Sequence, residues 1–222
     1  MVCQFEGDAQ TALRMLRAVK NRFGPTDEVG CFDMSGEGIE EVSDPSGLFL
    51  SSNGSVPVEG TCVTFTLDGH RSLPIEVQSL VTKSVLPTPR RAANGVDSNR
   101  IAMLVAVLYR HGGINLLAND LYISTIAGGL AKEPGCDLAI VAALASAAKS
   151  KAIARTTCAI GEISLTGQVR PVPVLEYGCV EAGQRLASST AVVPTLRKRV
   201  TVPGLTIVQA DTLKDALGVL LK

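Results

Sequence analysis

The chain has 222 residues, of which 46% are hydrophobic, and a formal net charge of zero. That apolar content is ample for a packed core and excludes a disordered chain. The charge balance excludes a globally basic protein that coats nucleic acid, though not a local basic patch, and the absence of Trp with 4% aromatics argues against base-stacking platforms.

In chain order, Met1 to Asp8 lacks the charged and apolar regions of a signal peptide and reads as the end of a strand from a larger protein. Asp8 caps a predicted helix to Phe23, with Ala12, Leu13, Leu16, Val19 and Phe23 at helical spacing and Gly24-Pro25 as its stop. Strands are predicted over Glu28 to Met34 and Ile39 to Val42. Asp44-Pro45 then starts a short helix to Leu50. The polar run Ser51 to Ser55 marks a domain boundary, giving units 1–52 and 53–222.

Thr61 to Leu67 and Leu73 to Leu80 read as a hairpin about Asp68-Gly69. A long basic loop from Lys83 to Val96 follows, and a loop of that length in a compact domain has a task. Asp97 caps a helix to His111, and Leu121 to Ile126 is a buried-type strand. A helix is expected over Cys136 to Ser150, strands over Thr157 to Ile163 and Val169 to Val172, and a helix over Leu175 to Leu186. Strands at Ala191 to Val193 and Thr206 to Val208 precede a last helix, Leu213 to Leu221. The irregular alternation defines an α+β fold.

The cysteines are Cys3, Cys31, Cys62, Cys136, Cys158 and Cys179. They form no C-x-x-C pair, so no zinc site is expected, and a reduced, cytoplasmic protein is the simplest reading. No apolar run is long enough to span a bilayer. His70 and His111 have no second ligand nearby in sequence, so no metal is assigned.

Two stretches, Lys132-Glu133-Pro134-Gly135-Cys136-Asp137-Leu138 and Gly161 to Glu176, resemble the active-site segments of the Lon protease domain. The resemblance implies a Lon-protease C-terminal-domain-like fold, also described as ribosomal protein S5 domain 2-like. It places Gly135 where the family has its nucleophilic Ser and Glu176 where it has its Lys base. A Ser–Lys hydrolase needs a hydroxyl beside a neutral amine. Neither residue supplies its half, so no catalytic residue is expected. Cys136, one position on, is the alternative nucleophile and defines an active-peptidase reading. The competing reading is a small buried residue at the start of a core helix. Glu162 and Glu176 could be offered as paired carboxylates, but nothing in the sequence brings them together.

Lys20-Asn21-Arg22-Phe23-Gly24 matches the KNRFG motif of the RadA (Sms) family of bacterial DNA repair proteins. Phe5 to Asp8, Leu16 to Val19, Val42 to Ser46 and Thr88 to Arg100 look like the same family, so the resemblance covers essentially the whole chain. It implies a C-terminal fragment: the end of a RecA-like ATPase core, 1–52, and a Lon-like domain, 53–222. The intact family is implied to be a hexameric, ATP-driven DNA motor acting in branch migration, with ATP, Mg, a structural zinc and a recombinase partner. This fragment has no P-loop and no four-cysteine cluster, so no cofactor is expected in it. Its implied role is to assemble the ring and help hold DNA, single-stranded or branched.

Two cation groups follow. Lys20 and Arg22, in the last turn of the expected helix, either complement its dipole or face a neighbour's nucleotide or a DNA phosphate. Lys83, Arg90, Arg91 and Arg100 lie in a stretch whose single acid is Asp97. They are candidate DNA contacts, of the salt-sensitive and sequence-blind kind. A protein-binding adaptor without DNA contact is the remaining alternative.

Overall fold

The structure is a computed structural model. It describes residues 1–6, 13–23, 29–35, 38–42, 50, 56–68, 71–126, 129–173, 179, 189–196 and 200–222. The described chain is mixed α and β, with the helices gathered against a sheet in which antiparallel and parallel pairs coexist. The α+β assignment therefore holds.

The first four strands form their own antiparallel sheet: β1 (Val2–Glu6), β2 (Leu13–Lys20), β3 (Val29–Ser35) and β4 (Gly38–Glu41). The helix expected over Asp8 to Phe23 is thus a strand where it is described. A helical face would bury Val19 and Phe23 together, yet they are 46% and 90% exposed. A short apolar run fits either period. Here strand pairing decides: Phe5 lies opposite Leu16, and Leu16 opposite Gly30. The Phe5 and Phe32 rings meet at 6.3 Å between centroids. The helix expected after Asp44-Pro45 and the boundary at 51–55 fall outside the described residues.

The larger sheet has seven strands. They are β5 (Thr61–Asp68), β6 (Arg71–Lys83), β7 (Arg91–Asn94), β8 (Asn119–Thr125), β9 (Thr157–Ala159), β12 (Thr190–Val193) and β13 (Thr206–Gln209). The spatial order is β13-β12-β9-β5-β6-β8-β7. The β5–β6 hairpin is antiparallel, with Asp68 opposite Arg71 at its turn. The strand expected over Thr157 to Ile163 is split: after β9 the chain leaves the sheet and pairs β10 (Glu162–Ile163) with β11 (Val169–Arg170). The basic segment is not wholly a loop. Its Arg91–Asn94 portion is the edge strand β7, parallel to β8.

Helix α1 (Ser98–Gly112) starts where Asp97 accepts the Arg100 N–H at 2.7 Å, and stops at Gly113 with φ of 69°. A single 3-10 turn, Pro134–Cys136, leads into α2 (Asp137–Lys149). Every α2 residue from Asp137 to Ser146 is buried, as an all-round apolar helix at the centre of a core should be. Its alanines allow close approach to the sheet. Helix α3 (Leu213–Leu220) is capped by Thr212, whose Oγ1 accepts the Asp215 N–H at 3.2 Å and donates to Asp215 Oδ2 at 2.6 Å.

The main core packs α1, α2 and α3 against one sheet face, through residues such as Leu104, Leu108, Leu121, Ile140, Leu144 and Leu217. A second cluster, with Phe65, Cys158, Ile160, Cys179 and Val193, covers the other face over β5, β9 and β12. The helix expected over Leu175 to Leu186 lies outside the described residues except for Cys179, which is helical and buried.

Candidate functional site

The two stretches singled out from the sequence lie side by side. The Gly161 N–H donates to the Gly135 carbonyl at 2.9 Å, and the Leu138 N–H donates to the Gly161 carbonyl at 3.1 Å. The Ile163 N–H reaches the Asp137 carboxylate at 3.0 Å. Gly135 is buried in the 3-10 turn. Glu176, and with it the pairing of Glu162 with Glu176, lies outside the described residues.

Arg100 crosses from α1 to this junction. Its Nε donates to Asp137 Oδ1 at 2.9 Å, its Nη2 donates to Asp137 Oδ2, and the same nitrogen donates to the Ile163 carbonyl at 3.0 Å. The Asp137 side chain is 2% exposed and that of Arg100 28%. Burial pushes the Asp137 carboxyl upward, while the Arg100 guanidinium and the Ile163 N–H oppose that shift. The hydrogen bond to Asp137 holds Arg100 above its ordinary value. Arg100 is therefore a strut joining α1, α2 and β10. That corrects its place among the freely offered cations.

A cavity of about 250 Å³ adjoins this strut, lined by Asp97, Arg100, Met103, Lys132, Glu133 and Asp137 among others. Glu133 is held in place by the Leu67 N–H at 2.9 Å and Thr66 Oγ1 at 3.3 Å. Sequence reasoning missed Asp137 and Glu133. Nothing in the spacing links Arg100 to an acid 37 residues further on.

Cys136 is fully buried, and its Sγ lies 3.7 Å from the Phe65 carbonyl oxygen. Burial, with Glu133 and Asp137 adding to it, pushes its thiol up to about 12. That is the opposite of what a nucleophilic cysteine needs. Lys132 and Lys149 are exposed. Of the six cysteines, Cys3 is exposed and the other five are buried. Among the described residues no three His, Cys, Asp or Glu side chains are grouped as metal ligands. No described helix is long and apolar enough to cross a membrane.

Lys20 is the last residue of β2, opposite Val2, and exposed. Asn21 Oδ1 accepts the Phe23 N–H at 3.1 Å, and Arg22 and Phe23 are exposed in the bend that follows. The dipole reading of Lys20 and Arg22 falls with the helix that carried it. Gly24 and His70 lie outside the described residues. His111 is in the last turn of α1, as expected.

Lys83, Arg90 and Arg91 gather at one end of the β6-β8-β7 edge. Lys83 is opposite Asn119 and Arg91 opposite Leu121, with β8 between them. The Arg90 backbone is fixed on both sides: its N–H donates to Asp120 Oδ1 at 2.7 Å, and its carbonyl accepts the Leu121 N–H at 2.8 Å. All three residues are exposed, and among the described residues none of the three cationic groups has an ion-pair partner.

Fold and site thus define a mixed α/β protein in which the Gly135 and Gly161 stretches abut through backbone hydrogen bonds beside the Arg100–Asp137 ion pair. No family model matches the chain. It is 46% identical over 217 residues to the DNA repair protein RadA of Mycolicibacterium smegmatis, covering 98% of this chain and 46% of that protein. It is 40% identical over 220 residues to RadA of Pseudomonas aeruginosa, covering 99% and 48%, and 37% identical over 215 residues to RadA of Escherichia coli, covering 96% and 46%. The chain belongs to the RadA family and spans about half the length of the curated relatives it matches.

Proposed function

We propose that the chain is the C-terminal part of a RadA-type DNA repair and recombination protein, and that its larger unit is a Lon-like, non-proteolytic platform for assembly and for holding DNA. The observation that carries this reading is the abutment of the Gly135 and Gly161 stretches, with the one thiol among them, Cys136, fully buried. It is supported by relatives named DNA repair proteins along nearly the whole chain. ATP, Mg and a structural zinc belong to the proposal for the intact protein, as do its branch-migration activity, a hexameric ring and a recombinase partner.

The DNA reading rests on Lys83, Arg90 and Arg91. Phosphate contacts need cations that are not already paired, and among the described residues these three have no ion-pair partner. The KNRFG segment, with Lys20 and Arg22 exposed, is proposed to act only across a subunit boundary of the intact protein. The peptidase alternative is opposed by the burial of Cys136 and its raised thiol.

Light scattering across a concentration series tests assembly; a chain monomeric at every concentration would overturn it. A titration of fluorescent single-stranded DNA at low and moderate salt tests the second half. Affinity should fall severalfold with each of Lys83→Ala, Arg90→Ala and Arg91→Ala. No binding at any salt would leave the adaptor reading in its place.

A further inference from the structure

The segment that joins β6 to β7 has a cation at each foot. Lys83 ends β6, and Arg90 and Arg91 stand where β7 begins. Between the feet the chain presents Val85 and Leu86, 91% and 43% exposed. Leu117, 45% exposed, shares with Leu86, Pro87 and Asn119 the lining of a cavity of about 580 Å³ beside this tip. Val85, Leu86 and Leu117 belong to neither core cluster. One exposed aliphatic side chain is ordinary on a protein surface, but an apolar tip set between cations marks a contact site.

The tip is held in place. Ser84 Oγ donates to the Leu86 carbonyl and accepts the Leu86 N–H, both at 3.2 Å. The Ser84 N–H donates to the Ala118 carbonyl at 3.4 Å, and Asn119 Nδ2 donates to the Thr82 carbonyl at 3.3 Å. Pro87 and Pro89 fix two φ angles and keep Leu86 and Thr88 extended. The surroundings also select the partner. Residues 83–96 include no acid. Asp120, on β8 between the feet, is buried and accepts the Arg90 N–H. A polyanion is therefore favoured over an acid-poor apolar partner. An apolar side chain flanked by phosphate-binding cations is the arrangement with which proteins open a base step. With β8 between them, the feet stand roughly 10 Å apart, or about three stacked base steps along a strand. Unstacking is least costly where the stack is already interrupted, which favours the end of a duplex over its interior.

We propose that Val85 and Leu86 form a wedge that enters the last base step of a duplex where it opens into single strand. Lys83, Arg90 and Arg91 hold the flanking phosphates, and the cavity between Leu86 and Leu117 receives the displaced base. The inference rests on the DNA reading above. It adds the form of DNA and the residues that open it.

The test places 2-aminopurine, which brightens when unstacked, in the last base pair of a duplex that continues into a single strand. The full chain should raise its fluorescence about twofold at saturation and bind this junction roughly fivefold more tightly than a continuous duplex of the same length. Val85→Ser combined with Leu86→Ser keeps every charge, and it should remove most of the rise and bring that ratio to about one. Val85→Leu keeps an apolar tip and should behave as the starting chain. Lys83→Ala and Arg90→Ala should instead weaken binding to both DNAs alike and leave the ratio in place. Circular dichroism controls for folding. If the chain binds the junction without a rise, or if the double serine variant keeps the rise, the loop is not a wedge, while the DNA reading stands. If no DNA is bound at any salt, both fall, and the apolar tip belongs to a protein contact.

Discussion

Cys136 decides between a scaffold and a peptidase. With its thiol near 12, about one molecule in ten thousand carries a thiolate there at pH 8. Iodoacetamide at that pH should label Cys3 in the native chain and leave Cys136 unlabelled until denaturant is added. The sign also follows: burial favours the neutral thiol, so Cys136 costs no stability below pH 9, and folding weakens as pH rises from there towards 12. Rapid native labelling of Cys136, together with casein turnover, would revive the peptidase. The Arg100–Asp137 strut makes a second prediction at this scale. Removing either partner strands the other near a buried junction, so Arg100→Ala and Asp137→Ala should each cost about 3 kcal/mol in urea unfolding. The double variant should cost clearly less than the sum. Ser146 Oγ accepts the buried Gly60 N–H at 2.9 Å and donates to the Lys151 carbonyl at 2.5 Å. Ser146→Ala should therefore cost about 1–2 kcal/mol.

Among the elements, Gly60 turns the chain into β5 with φ of 80°, and an added Cβ would collide with the Ser79 carbonyl oxygen. Gly60→Ala should lower the thermal midpoint by several degrees without changing the far-ultraviolet spectrum. Strong local signals were legible in the sequence. Asp97 capped α1 as its position implied, and the apolar run after Pro134 became α2. The β5–β6 pairing, β8, β12 and β13 appeared where β-branched residues concentrate. Two elements were not legible, for physical reasons. The Leu13 to Val19 run satisfies both helical and strand spacing, and only its neighbours on β1 and β3 choose between them. Arg91-Ala92-Ala93-Asn94 has weak strand propensity, and it is held by pairing to β8 and by the Gly95 carbonyl, which accepts the Ala131 N–H at 2.8 Å. Likewise, Asp137 as the partner of Arg100 required the fold, because 37 residues separate them in the chain.

For the whole molecule, charge is neutral overall but not evenly spread. Lys83, Arg90 and Arg91 sit together at one end of one sheet edge, while Arg100 is consumed internally. If those three carry DNA binding, the logarithm of the binding constant should fall with the logarithm of salt concentration with a slope of about −2 on a single strand. A slope near zero, or one unchanged in the triple alanine variant, would remove DNA from this edge.

The position of β5 also has a consequence in time. This strand has β6 on one side, next in sequence, and β9 on the other, where Val63 is opposite Cys158. During synthesis the hairpin closes early, but its second edge stays open until residues 157–159 leave the ribosome. Such late, distant pairing is slow, and an unpaired central edge is sticky. Chains released before Thr157 should therefore aggregate or be degraded, whereas completed ones fold. The order in which the sheet is assembled makes the last third of the chain the gatekeeper of the rest.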